Sequence, residues 1–130
     1  MIIAENEYVT LRYVESQNYL YHTVHRPVDE TVFMASLDSG VDFMHQHHVQ
    51  KWLSDDRLNG PFSEAFSQWA INDWIPRSIQ AGWKYWANVV PVEIKAAGTL
   101  GPFIEVLYDM GLRMMVFSKL EEAQTWIVKL

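Results

Sequence analysis

Asp55-Asp56-Arg57 sets two neighbouring carboxylates beside a guanidinium. Such a pair can share acid and base work, bind a cation, or meet the basic groups of a partner. A structural use is simpler. Acids near a helix N-terminus stabilise it by ~0.3–1 kcal/mol through the backbone dipole, and Arg57 can pair with one of them. An enzymatic use would add Arg77 and a histidine, with Asp55 or Asp56 as the working carboxylate.

The histidines form a second group: His45, His47 and His48, with His22 and His25 upstream. On a helix, Asp42, His45 and His48 share one face. Imidazole and carboxylate both ligate zinc. The chain has no HExxH pattern and nothing supplies a fourth ligand, so no metal is assigned. Near a helix C-terminus, cationic imidazole is favoured by the dipole instead.

Nucleophilic chemistry finds no support. Cysteine is absent, which removes disulfides, thiolate zinc sites and a thiol nucleophile together. There is no G-x-S-x-G elbow and no serine or threonine with a recognisable His-Asp arrangement. Gly98-Thr99-Leu100-Gly101 is too short for a phosphate loop and lacks the Gly-Lys-Ser/Thr ending. No cofactor is assigned, and the reading leans away from an enzyme.

Six Trp, six Tyr and six Phe form the third group. Ligand pockets are apolar with few polar groups, so these side chains could line one. Core packing is the simpler account, because Trp69, Trp74 and Trp126 fall on helical stripes and Trp52 and Trp86 on strands. Trp83-Lys84-Tyr85-Trp86 remains the best candidate for a binding or dimer surface, since adjacent strand residues face opposite sides. Trp74, Trp83 and Trp86, with Asp55, Asp56, Arg57 and Arg77, are therefore the candidate binding residues.

The elements that must position these groups follow from periodicity. Tyr8 to Val14 alternates, with Val9, Leu11 and Tyr13 on one side. Glu15-Ser16-Gln17-Asn18 is a polar turn. Tyr19 to Val24 is a second strand with Leu20, His22 and Val24 on one face, which makes an antiparallel hairpin. Asp29 caps a helix whose buried stripe is Phe33, Leu37, Val41, Met44 and His48. Gly40 inside it costs up to ~1 kcal/mol relative to Ala and leaves room for a kink. Gln50 to Ser54 reads as a central parallel strand.

Ser63 caps the next helix, with Phe66, Ala70 and Trp74 and then Ile71, Ile75 and Ile79 at helical spacing. Pro76 must kink or restart it, and Gly82 ends it. Tyr85 to Val90 is a strand, and Val92 to Gly101 has weak periodicity. Pro102 opens a helix that buries Phe103, Leu107 and Met110. Leu112 to Phe117 is the last strand. Ser118-Lys119-Leu120-Glu121 reads as a capping box for a helix with Ala123, Trp126, Ile127 and Leu130 inward. The fold class is α/β: a mixed, mainly parallel sheet of four to five strands, an antiparallel N-terminal hairpin and about four helices about that sheet.

At 130 residues the chain is read as one domain. A formal charge of −6 argues against a general nucleic-acid binder. No stretch approaches the ~20 apolar residues of a spanning helix, and the N-terminus lacks a basic n-region. The expected setting is cytoplasmic.

Trp52-Leu53-Ser54-Asp55-Asp56-Arg57, then Trp69, Trp74, Pro76-Arg77 and Ala81-Gly82, resembles the small SpoIIAA-like proteins, grouped with STAS (anti-sigma-factor antagonist) and Sec14-type lipid-binding domains. Phe117-Ser118 with Glu122-Ala123 and Trp126 is similar to the same family's last strand and helix. The resemblance runs from Tyr8 to the end. It implies a mixed sheet with helices, used as a binding or regulatory module without a defined reaction. STAS antagonists are switched by phosphorylation of a hydroxyl after a central strand. Here Ser54 precedes the acids, and the hydroxyl at the helix entrance is read as missing. The expected function is a non-enzymatic, STAS-like module acting through protein contact, with a protein partner or a second copy of itself as a homodimer. The alternative is a carrier or sensor of a small hydrophobic, lipid-like ligand.

Overall fold

The computed structural model describes residues 1–130. Six strands form one sheet in the order β1 (Ile2–Glu5), β2 (Val9–Val14), β3 (Tyr19–Val24), β4 (Lys51–Asp55), β5 (Tyr85–Val89) and β6 (Arg113–Phe117). The first three strands are antiparallel, and β3 to β6 are parallel. The expected α/β class, N-terminal hairpin and parallel run are all present. The sheet has six strands where four to five are expected, and β1 is the addition. β1 has only four residues, and its pairing with β2 is irregular between Ile2 and Ala4, so it shows no alternation to read.

Between parallel strands run α1 (Glu30–His47), then α2 (Glu64–Trp69), a π-helical turn (Ala70–Trp74) and α3 (Ile75–Gln80), then α4 (Val92–Ala97) and α5 (Gly101–Asp109); α6 (Leu120–Val128) follows β6. Each crossover joins a strand to its immediate neighbour, and crossovers of one hand then place their helices on one face. The packing follows suit. Leu20, Trp52, Trp86 and Met114 of the sheet join Phe33 and Leu37 of α1, Trp74, and Leu107 of α5 in the larger core. Leu53, Ala87 and Val89 pack with Ala123 and Ile127 of α6 in a smaller core. The two faces follow from the period of two along each strand.

Several local expectations are met by their predicted bonds. Asp29 accepts from the Val32 amide at 3.1 Å, and Ser63 accepts from the Phe66 amide at 3.1 Å. Gly82 takes a φ of 117° where the chain leaves α3. Others are corrected. α1 runs unbroken through Gly40, which is buried with the Trp52 ring where a side chain would stand. His48 is not on the buried stripe, since it ends α1 with a φ of 56°. Lys119 is the N-cap of α6, without a side-chain cap, so the Ser118–Glu121 capping box does not form. Met110 and Leu130 are exposed rather than inward.

Pro76 is accommodated by the π-helical turn ahead of it. The Ile75 amide bonds to the Ala70 carbonyl, five residues back, and Pro76 then sits in the first turn of α3, where its missing donor is tolerated. The extra residue in this turn breaks the helical period. Ile71 is consequently exposed, while Ile75 and Trp74 are buried. No helix is long and apolar enough to cross a membrane.

Candidate functional site

The register of the parallel strands builds the site. Leu20, Trp52, Trp86 and Met114 lie in one cross-strand row. Two residues further along each strand, on the same face, lies a second row: His22, Ser54 and Asn88. An apolar row is thus followed by a polar one toward the carboxyl ends of β3, β4 and β5. Open parallel sheets bind ligands outside those ends.

The polar row is tightly wired. Trp52 Nε1 donates to His22 Nδ1 at 3.1 Å. His22 Nδ1 therefore carries no proton, and Nε2 donates to Asp56 Oδ1 at 2.7 Å. Trp86 Nε1 donates to Ser54 Oγ at 2.6 Å, and Ser54 Oγ donates to Asn88 Oδ1 at 3.3 Å. The second oxygen of Asp56 and the amide nitrogen of Asn88 form no bond within the protein. Asn59, on the loop after β4, is held by its backbone: its carbonyl accepts from the Val28 amide at 3.2 Å. Its side-chain oxygen is buried and has no hydrogen-bond partner.

Above this row the helices leave a cavity of about 340 Å³, with eleven hydrophobic residues among its sixteen lining residues. His22, Asp56, Asn59 and Asn88 form its polar end. Phe33 and Leu37 of α1 form one wall, and Phe66 and Trp74 another. Trp86 lies at the base, with Phe103 of α5 edge-on to it at 6.2 Å. The π-helical turn contributes Ala70 and the exposed Ile71. Widened turns of this kind often sit at functional sites because they re-aim side chains without ending the helix.

The structure separates the sequence candidates. Asp55 and Arg57 form a two-pronged ion pair, with Nε to Oδ1 at 2.8 Å and a terminal nitrogen to Oδ2 at 2.7 Å. Asp55 is buried, and its hydrogen bonds hold the Arg57 guanidinium above its ordinary value. Neither residue lines the cavity. Helix α2 starts only at Glu64, so the acids do not stabilise its N-terminus; Asp55 serves Arg57 and Asp56 serves His22. Arg77 is not brought to Asp55 or Asp56. Its guanidinium bonds Asp38 at 2.7 Å and Asp73 at 2.9 Å, and these bonds raise it above its ordinary value.

Trp74 and Trp86 line the cavity, but both indole N–H groups are spent inside the protein, on Leu37 O and Ser54 Oγ. Trp83 is 1% exposed, so it is core and not a binding or dimer surface. It precedes β5, and the chain turns it inward after Gly82. Ser54 is 1% exposed and doubly hydrogen-bonded, which shields it from modification. The helix entrance does carry a hydroxyl: Ser63 caps α2 and donates to Glu30. Asp42, His45 and His48 are exposed, and no three histidine or acidic side chains converge to hold a metal ion. His47 stacks on Phe43 with ring centroids 4.1 Å apart.

His22, Asn59 and Asn88 were not singled out as a site by sequence reasoning. The available signal was the inward face of β3, where His22 stands between Leu20 and Val24. A polar residue at the same step of two neighbouring strands would have completed it.

Comparisons with protein-family models, with curated proteins and with solved structures found no match. The fold and the site define a mixed α/β sheet protein with an aromatic cavity at the carboxyl ends of its central strands.

Proposed function

We propose that this chain is a binding module that holds a small, largely apolar molecule in the cavity above β3, β4 and β5. The observation that carries this is the cavity itself: about 340 Å³, mostly hydrophobic, with polar groups gathered at one end. That is the size and make-up of small-molecule sites. Each indole and imidazole nitrogen around it has an internal partner, so the walls are preorganised and only a few polar atoms are left for a ligand. The likeness to SpoIIAA-like and Sec14-type domains belongs to the same proposal, supported by the hairpin followed by parallel strands. A cytoplasmic setting also belongs to it. Native mass spectrometry of protein purified from its own host tests the reading. A bound adduct is expected, and Ala70→Leu, which narrows the cavity, should lose it while remaining folded. A bare mass, with no thermal shift from any apolar compound, would remove the idea.

A second reading, protein contact or homodimerisation, has one specific support. β6 is an open sheet edge, Met115 on it is exposed, and so are Val106 and Tyr108 of the adjoining α5. Open edges and exposed apolar groups invite pairing. Light scattering after size exclusion tests it, and a strict monomer at high concentration would count against the homodimer.

A further inference from the structure

The charge of the cavity selects its ligand. Its sixteen lining residues include one carboxylate, Asp56, and no lysine or arginine. An organic anion such as a fatty acid or a phosphate ester would find no countercharge there. The nearest cationic side chain in sequence, Arg57, is committed to Asp55 by two short bonds.

His22 does not neutralise Asp56 either. While Trp52 Nε1 donates to Nδ1, the imidazole can hold a hydrogen only on Nε2 and is uncharged. Asp56 is thus a carboxylate with one oxygen tied and one free, its side chain only 16% exposed, at the end of an apolar chamber. A carboxylate largely withdrawn from water and met by a single neutral donor is under-compensated. A second observation is independent of that charge. Asn59 is 8% exposed, lines the same cavity, and its buried side-chain oxygen accepts from nothing. Buried acceptors are nearly always satisfied. Two of the residues that line the chamber, Asp56 and Asn59, therefore each carry an acceptor atom without a donor.

The walls are largely aromatic as well. Phe33, Phe66, Trp74, Trp86 and Phe103 are all lining residues. Aromatic faces attract organic cations, the more so when desolvated.

We propose that the ligand is a protonated organic amine with an aromatic or compact aliphatic body, its ammonium group donating to the free oxygen of Asp56. This deepens the cavity-binding reading above and rests on it. At the ~30 Å³ that one water occupies in the liquid, 340 Å³ has room for about eleven waters. That is room enough for an arylalkylamine. Amines of this kind carry a proton at neutral pH, as lysine does.

Isothermal titration of the full chain with phenethylamine, phenethyl alcohol and phenylpropionate separates the outcomes. The three share a ring and differ in the head group. The amine should bind at least roughly tenfold tighter than the other two. In Asp56→Asn the amine should lose that advantage while the alcohol binds as before; if this variant does not fold, the wild-type series alone decides. Equal binding of amine and alcohol, or tightest binding of phenylpropionate, overturns the amine inference and leaves the cavity reading standing. Retention of the full preference in a folded Asp56→Asn overturns it too. No binding by any of the three, together with a bare native mass, overturns both.

Discussion

The indole of Trp52 donates to Nδ1 of His22 across 3.1 Å, and that one bond decides which ring nitrogen faces Asp56. Nitrogen NMR of the imidazole is expected to report the Nε2–H tautomer; an Nδ1–H signal would sink the assignment. His22→Ala removes the acceptor and leaves the Trp52 N–H buried and unpaired, at a cost of ~1–3 kcal/mol before any cavity contribution. Loss of the edge-on contact with Phe33, 5.6 Å away, adds to it. Urea denaturation measures the sum.

Gly40 and Trp52 make a second close relationship, between α1 and β4. A Cβ on Gly40 would lie 2.7 Å from Trp52 Cζ3 and closer still to its Cη2. The ring cannot yield easily, because Trp74 and Trp83 pack on it with centroids 5.5 Å and 5.7 Å away. Gly→Ala in a helix ordinarily gains up to ~1 kcal/mol. Overpacking costs typically ~1–3 kcal/mol. Gly40→Ala should therefore lower the melting temperature despite the better helix former, and a stabilised variant would contradict the packing.

The Asp55–Arg57 pair should respond unequally to its two truncations. Asp55 is buried with a 7% exposed side chain, while the Arg57 side chain is 43% exposed. Arg57→Ala leaves a buried carboxylate with only the backbone N–H of residue 57, at 3.4 Å. Asp55→Asn leaves a guanidinium that water can reach. We expect the arginine variant to lose on the order of 2–3 kcal/mol and the aspartate variant less. Chemical denaturation of both variants measures the difference. The reverse order would show that Asp55 is not the vulnerable partner.

Periodicity made most elements legible. The apolar steps of β2 to β6 and of α1, and the caps at Asp29 and Ser63, could be read because each signal lies within a few residues. β1 could not, being four residues long with an irregular pairing. The π-helical turn could not, because one extra residue turns Ile71 outward while the letters still look helical. Trp83 was misplaced because alternation was extended past the true start of β5 at Tyr85. The site is harder in principle. His22, Asp56, Asn59 and Asn88 come from β3, the loop after β4, and β5, and only the strand register brings them together. Asp56 was visible as half of an acidic pair, yet nothing local revealed that its partner is His22 and not Arg57.

Tyr19 gives the pH prediction. It is 5% exposed, packed on the α6 side of the sheet, and burial, with a smaller contribution from Tyr21, pushes its phenol above the ordinary 10.0. The folded chain therefore keeps this proton at a pH where the unfolded chain releases it. Wherever the unfolded state binds fewer protons, stability falls as pH rises. The contribution of Tyr19 is complete below about pH 10 and is lost as pH climbs through its raised value. Tyr19→Phe keeps the ring and removes the titration. The urea midpoint of the wild type should drop faster than that of Tyr19→Phe between about pH 9 and 11. Other groups titrate in that range, so the difference between the two curves is the readout. Parallel curves would show that the Tyr19 phenol is no harder to ionise in the fold than in the open chain.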